Sequence, residues 1–187
     1  MLRFPYQVPP VAPIRAASLG KWARITRLLR ALFGRTLPEQ GQRSKVRPLP
    51  NAPPLRPFVP IRIRGLGKAR RFRLALVDTG SVTTVFPSGV APLIGVVLGS
   101  GQRKLRWRGQ SYPIEFQTVE LELEHGATVW RWRALVGFSS APLAYPLLGQ
   151  QGCLEFMNAK FHGADQVVEL ETDRLFPGSV KGASVTS

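Results

Sequence analysis

The sequence contains little cysteine, and it contains no long apolar run. The single Cys153 among 187 residues excludes an intrachain disulfide, and it has no local motif of a thiol protease. His125 and His162 lack metal-ligand spacing with that cysteine, so we predict no metal site. No stretch of eighteen or more apolar residues occurs, so no transmembrane segment is expected. The length suits one domain with extensions and is too short for two full lobes.

Acidic residues are also scarce, since 11 Asp and Glu stand against 26 Lys and Arg, which gives a net charge of +15. The first fifty residues hold ten basic residues and a single acid, Glu39. Such asymmetry is typical of a segment that contacts nucleic acid, a membrane surface or another anionic partner, and a solvated tail is the alternative. The N-terminus lacks the compact apolar core of a secretory signal, so we predict a cytoplasmic location, with peripheral membrane association left open.

Three regions follow from composition. Residues 1–57 are predicted to be a basic extension and proline-rich linker, irregular over Met1–Pro13, with a candidate amphipathic helix at 18–33 whose arginines lie opposite its apolar residues. This extension could be a propeptide, a targeting segment or the product of a mis-assigned start, and the sequence leaves these open. Residues 58–176 are predicted to be the folded domain, and 177–187 a flexible tail.

Alternating apolar and charged residues predict an all-β domain. Phe58–Ile63 and Phe72–Val77 flank a glycine-containing turn, and Pro60 predicts that the first of these strands lies at a sheet edge. A second hairpin turns at Gly126-Ala127, which suits a two-residue turn with glycine first. Its register places opposite charges on one face and apolar residues on the other, with Glu122 opposite Arg131, Glu120 opposite Arg133, Leu123 opposite Trp130 and Leu121 opposite Trp132.

Candidate chemistry is concentrated in the stretch Leu74–Ser81, which reads LALVDTGS. An apolar strand delivers Asp78 to a tight turn, where Gly80 lets backbone groups approach the carboxylate closely. Thr79 and Ser81 add short hydroxyls that can hydrogen-bond within or across such a turn. An Asp-Thr-Gly triplet often makes only a turn. Here a second stretch, Tyr145-Pro146-Leu147-Leu148-Gly149, follows about one small domain's length downstream.

Together the two stretches resemble the two signatures of retropepsin-type aspartic proteases, and the resemblance covers about residues 58–170. It implies a closed β-barrel with one short helix after Gly149, at about residues 150–156. By similarity Asp78 is catalytic, Thr79 bonds across a dimer, and Gly80 and Ser81 support the loop. Leu147, Leu148 and Gly149 match the strand that packs behind the catalytic loop in that family.

An aspartic protease needs two carboxylates about 3 Å apart that share one proton. This chain has one such triplet, so the resemblance implies a homodimer in which a twofold axis brings two copies of Asp78 together. The implied activity is hydrolysis of peptide bonds in a peptide or protein substrate, with no cofactor and no metal. The alternative is a catalytically silent dimeric binding module of the same fold, whose basic extension docks a partner, nucleic acid or a membrane surface.

Family members cover the site with a mobile, glycine-rich hairpin called a flap. Only Gly99, Ser100 and Gly101 offer comparable mobility here, so the tip is expected near Gly99–Gln102 or near Arg108–Gln110. If this stretch is the flap, its charges are expected to face the substrate channel, and a solvated strand face is the alternative. Retroviral members carry arginine where this chain has Gln150, which puts their usual dimer salt-bridge pattern in doubt here. They also interleave terminal strands across the dimer, a role that would fall to Val167–Leu170.

Overall fold

A computed structural model describes residues 1–8, 55–100 and 103–182. These residues belong to one compact unit of the chain. The candidate amphipathic helix at 18–33 and most of the proline-rich linker lie outside the described residues, as do Gly101 and the last five residues. In the part that is described, no helix has both the length and the apolar character needed to cross a membrane.

The described residues are mostly β-strand. The strands are β1 (Leu2–Pro5), β2 (Phe58–Arg64), β3 (Ala69–Val77), β4 (Val85–Pro87), β5 (Arg103–Trp107), β6 (Gln110–His125), β7 (Thr128–Ser139), β8 (Leu147–Leu148), β9 (Met157–His162), β10 (Val167–Thr172) and β11 (Ser179–Lys181). One short α-helix, α1 (Val90–Leu93), follows β4. The helix expected after Gly149 is a single 3₁₀ turn, Leu154–Phe156.

The strands form two sheets. The larger has the order β11-β7-β4-β8-β3-β2-β6-β5, and an additional pairing of β7 with β6 closes six of its strands into a ring. The smaller sheet has the order β1-β10-β9. The predicted all-β class is therefore confirmed. The main apolar core includes side chains from both sheets, among them Trp132, Leu121 and Leu170.

The predicted β6–β7 register is confirmed at all four pairs, Glu122–Arg131, Glu120–Arg133, Leu123–Trp130 and Leu121–Trp132. Gly126 adopts a φ of 59°, as a glycine-first turn requires. The edge position predicted from Pro60 is wrong, because β2 pairs with both β3 and β6. The β2–β3 register shifts between Val59 and Ile61, and proline is tolerated at such an irregularity.

The charged face of β6 is less solvated than its alternation suggests, because Glu122 is only 6% exposed. Its carboxylate lies 2.9 Å from Arg62 and 2.6 Å from Arg131. The hydrogen bond and charge of Glu122 raise the pKa of the Arg131 guanidinium. A buried carboxylate is tolerated when it is paired and hydrogen-bonded in this way, so the arginines of β2 and β7 are partners of β6.

The N-terminus differs from the sequence expectation. Met1–Pro13 was expected to be irregular, yet β1 pairs antiparallel with β10, with Leu2 opposite Leu170 and Phe4 opposite Val168. Leu2 is 2% exposed and Phe4 is 3% exposed. The first residues are therefore part of the domain, and assigning all of 1–57 to an extension is wrong for them. The four residues of β1 are too few to show a periodic pattern from which this pairing could be predicted.

The C-terminal end also differs. β11 pairs with β7 at Ser179–Lys181, so the described fold continues into the segment predicted as a tail. β10 lies between β1 and β9 and is paired on both sides within one chain. It has no free edge for a partner strand, so the expectation that Val167–Leu170 interleaves across a dimer is wrong.

Candidate active site

Asp78 directly follows β3, where the strand meets the second signature stretch. β3 and β8 pair in parallel, with Leu76 opposite Leu147 and Val77 opposite Leu148. The N–H of Asp78 donates to the carbonyl of Leu148 at 3.0 Å, which extends this ladder by one residue. The two stretches that suggested the site, although far apart in the sequence, are therefore hydrogen-bonded neighbours.

The chain after Asp78 then crosses to the other side of the second stretch. The N–H of Gln150 donates to the Ser81 carbonyl, and the N–H of Gln151 donates to the Val82 carbonyl, both at 2.9 Å. In addition, the backbone N–H of Thr84 donates a hydrogen bond to the Gln151 carbonyl at 2.9 Å. Residues 146–151 are thus held between the strand that precedes Asp78 and the segment that follows it.

Gly149 lies at the centre of this crossing and has no room for a side chain. A Cβ there would collide with the backbone carbonyl of Thr83 and lie 2.7 Å from the Ser81 carbonyl oxygen. Both obstacles are backbone atoms of the Asp78 loop. Any side chain at position 149 would therefore push that loop away from the second stretch.

We predict that Gly149→Ala destabilises the protein by roughly 1–3 kcal/mol, the usual range for overpacking. The measurement is the free energy of unfolding in urea. Gly89→Ala is the matched control, because a Cβ at Gly89 meets nothing within 4 Å and the residue already has φ −62°. That change should leave stability unaltered or raise it slightly. Equal stability of the two variants would show that the crossing is not tightly packed.

The Asp78 carboxylate is half-buried and is hydrogen-bonded to the backbone of its own loop. Its Oδ1 accepts a hydrogen bond from the N–H of Gly80 at 3.1 Å. The Ser81 hydroxyl donates to the Thr83 carbonyl at 2.8 Å, so it braces the loop. Thr79 is exposed at the turn. The loop residues predicted from sequence are thus together, with Asp78 reaching solvent beside Thr79.

The register defines which side chains share a surface with Asp78. Val77 points into the core at 3% exposure, so Leu76 and Asp78 point to the opposite side, because side chains alternate along a strand. Paired residues in neighbouring strands share that side. We call this surface the Asp78 face; beside Asp78 and Leu76 it comprises Phe58, Leu147, Val85, Ile114 and Phe116. Phe58, Leu147, Val85 and Ile114 are buried, whereas Asp78, Leu76 and Phe116 are partly exposed.

β5 and β6 form the hairpin in which the flap was expected. Its turn is Arg108-Gly109, with φ of 49° and 80°, which suits a two-residue primed turn. Of the two tip positions that the sequence left open, the turn therefore lies at Arg108–Gln110 and not at Gly99–Gln102. Gly99 and Ser100 precede β5, and the N–H of Gly99 donates to Glu115 at 2.6 Å.

The hairpin carries charges on both of its sides, since Arg103 pairs with Ile114 and lies over the Phe116 ring, on the side of the apolar residues. Leu105 pairs with Tyr112 and shares the side of Ile114, whereas Lys104 and Arg106 point the other way. Both cations are exposed. The expectation that the hairpin charges face the same side as the site is therefore wrong for Lys104 and Arg106.

Sequence reasoning missed Arg56 beside the site and gave no role to Tyr145 of the second stretch. Arg56, assigned to the linker, donates from Nη1 to the Tyr145 hydroxyl at 3.2 Å. The Tyr145 ring packs edge-on against Phe58, with ring centroids 4.7 Å apart. Arg56 is also held by a backbone bridge to Gln7. These partners are distant in sequence, so no local pattern could have indicated them.

Cys153 is fully buried, and burial raises the pKa of its thiol to about 12. The thiol therefore stays protonated at neutral pH, where only the thiolate is nucleophilic. We predict that a thiol reagent at about pH 8 leaves the native chain unmodified and labels it once in denaturant. Rapid labelling of the native protein, followed by mass spectrometry, would contradict this burial.

Within residues 1–8, 55–100 and 103–182, no three His, Cys, Asp or Glu side chains gather as metal ligands. Comparison with protein-family models finds no match, and comparison with curated proteins finds none either.

Proposed function

We propose that the protein is an aspartic endopeptidase of the retropepsin type that acts as a homodimer. The observation that carries the proposal is the crossing at the site: the loop from Asp78 to Thr84 is hydrogen-bonded around residues 146–151. It holds one partly exposed carboxylate directly after the end of β3. A simple Asp-Thr-Gly turn would need no such second stretch.

Two copies of Asp78 across a twofold axis would supply the chemistry. Carboxylates about 3 Å apart cannot both ionise, so the pair holds one proton. The ionised carboxylate takes a proton from water as its oxygen attacks the peptide carbonyl carbon, and the protonated one stabilises the developing oxyanion. The C–N bond then breaks, and the departing nitrogen takes a proton from the pair. The hydrogen bond from the N–H of Gly80 fixes the position of the Asp78 carboxylate in its loop.

The loop also supports the dimer that this chemistry needs. Thr79 is exposed at the turn next to Asp78, and Val82 in the same loop is 80% exposed although it is apolar. A second copy of the chain placed against this loop would cover Val82 and bring its own Thr79 within reach. Such a twofold interface uses the same patch on both subunits.

The test is the cleavage of an unfolded casein-type substrate as a function of pH, in the presence of a metal chelator. A shared proton predicts a bell-shaped profile that falls when both carboxylates are protonated and again when both ionise. Folded protein that cleaves nothing from about pH 3 to about pH 8 would overturn the proposal and favour the silent binding module.

A further inference from the structure

Resting on the proposed function, we propose that Arg56 selects substrates that carry a carboxylate side chain close to the scissile bond. The substrate class is thus an acidic peptide segment with apolar residues at its centre.

Arg56 is placed beside Asp78 by the backbone. The next residue, Pro57, accepts a hydrogen bond from the N–H of Val77 at 2.9 Å, immediately before Asp78. The hydrogen bond to Tyr145 ties the guanidinium to the stretch that leads into Leu147, the partner of Leu76. The edge-on packing of Tyr145 on Phe58 holds that arrangement in place.

Among the described residues, Arg56 lacks a carboxylate partner, as do Arg70, Arg73 and Arg133 on the ring, whereas other ring arginines have one. Arg62, Arg64 and Arg131 each lie within 4.0 Å of a glutamate. Arg56 is also exposed. A guanidinium has five N–H donors in a fork that matches a carboxylate. Tyr145 engages one arm of the fork, which leaves donors for a substrate.

The apolar part of the substrate follows from the rest of the face. Leu147 and Val85 are buried, whereas Leu76 beside the Asp78 loop and Leu105, Tyr112 and Phe116 of the hairpin are partly exposed on the same side. These partly exposed residues favour apolar side chains at the bond to be cut. In a homodimer two copies of Arg56 would lie at the two ends of the site, so acidic residues are expected on both sides of the apolar pair.

The experiment compares two unstructured peptides that share a central Phe-Leu pair and differ only in having glutamates or glutamines at the flanking positions. We expect wild-type protein to cleave the glutamate peptide with a kcat/KM roughly tenfold higher or more, the range expected for a charge-assisted hydrogen bond. Arg56→Gln should lose this preference and still cleave the glutamine peptide. Arg106→Gln is the matched control, since it removes the same charge from the opposite side of the hairpin and should keep the preference.

Binding to the Asp78→Asn variant separates this inference from the proposed function. Fluorescence anisotropy should show tighter binding of the glutamate peptide, and adding Arg56→Gln should abolish the difference. Equal binding of both peptides would overturn the role of Arg56 even if hydrolysis is observed. A preserved preference without hydrolysis in wild type would support Arg56 and reject the protease. If the Arg56→Gln and Arg106→Gln variants lose the preference for the glutamate peptide equally, that preference depends only on the overall charge of the protein. This result would overturn the inference.

Discussion

Replacing Asp78 with asparagine is expected to lower kcat for peptide hydrolysis by about 10³-fold, since the residue is proposed to act as both general base and general acid. An amide cannot take a proton from water at neutral or acidic pH. Asparagine has nearly the same shape and can still accept the hydrogen bond from Gly80 through its carbonyl oxygen. The fold and the dimer should therefore survive, and the loss should appear in kcat.

Asp165→Asn is the matched control for this prediction. Asp165 is exposed between β9 and β10, away from the crossing at the site. Its replacement removes the same charge and should leave kcat unchanged. Sedimentation of both variants checks that the subunit state is the same. Wild-type activity in Asp78→Asn would place the chemistry elsewhere in the chain.

Replacing Phe4 with alanine is expected to lower the free energy of unfolding by about 3–5 kcal/mol, the usual cost of removing a buried phenylalanine side chain. Phe4 is 3% exposed, pairs opposite Val168, and packs edge-on against His125 with ring centroids 4.9 Å apart. For a single domain this is a large share of total stability. Denaturant unfolding of the full-length chain measures it.

Arg3→Ala is the control on the same strand. Arg3 pairs with Glu169 at 2.8 Å, but its side chain is 57% exposed, so the change should cost less than about 1 kcal/mol. If Phe4→Ala is as mild as Arg3→Ala, then β1 is not packed in the domain. The first residues would then belong to an extension, as composition alone suggested.

Local patterns predicted the parts of the fold that depend on near neighbours. The β6–β7 register follows from a two-residue turn and alternating residues, because a shift by one position would turn Leu121 and Leu123 outward. Gly149 was identified as part of a pattern of three residues, and its crowding by Thr83 and Ser81 gives the pattern a physical reason.

The parts that were missed depend on distant partners. Leu2 and Phe4 are buried only because β10, near the other end of the chain, provides their partners. The position of Arg56 depends in the same way on Tyr145. The turn of the β5–β6 hairpin could not be chosen by glycine content, because the non-glycine Arg108 adopts a positive φ there. Long-range pairing decided the positions of β1 and Arg56, whereas the hairpin turn is formed by local pairing.

Mixing active and inactive chains tests the central claim most directly, namely that two copies of Asp78 make one site. Wild-type protein and Asp78→Asn are combined in equal amounts, allowed to exchange subunits, and assayed at constant total chain concentration. If each site needs two aspartates, only homodimers of wild type are active, and the mixture should retain about one quarter of the activity of wild type alone. Retention of one half would mean that each chain works by itself, and it would contradict the shared dyad.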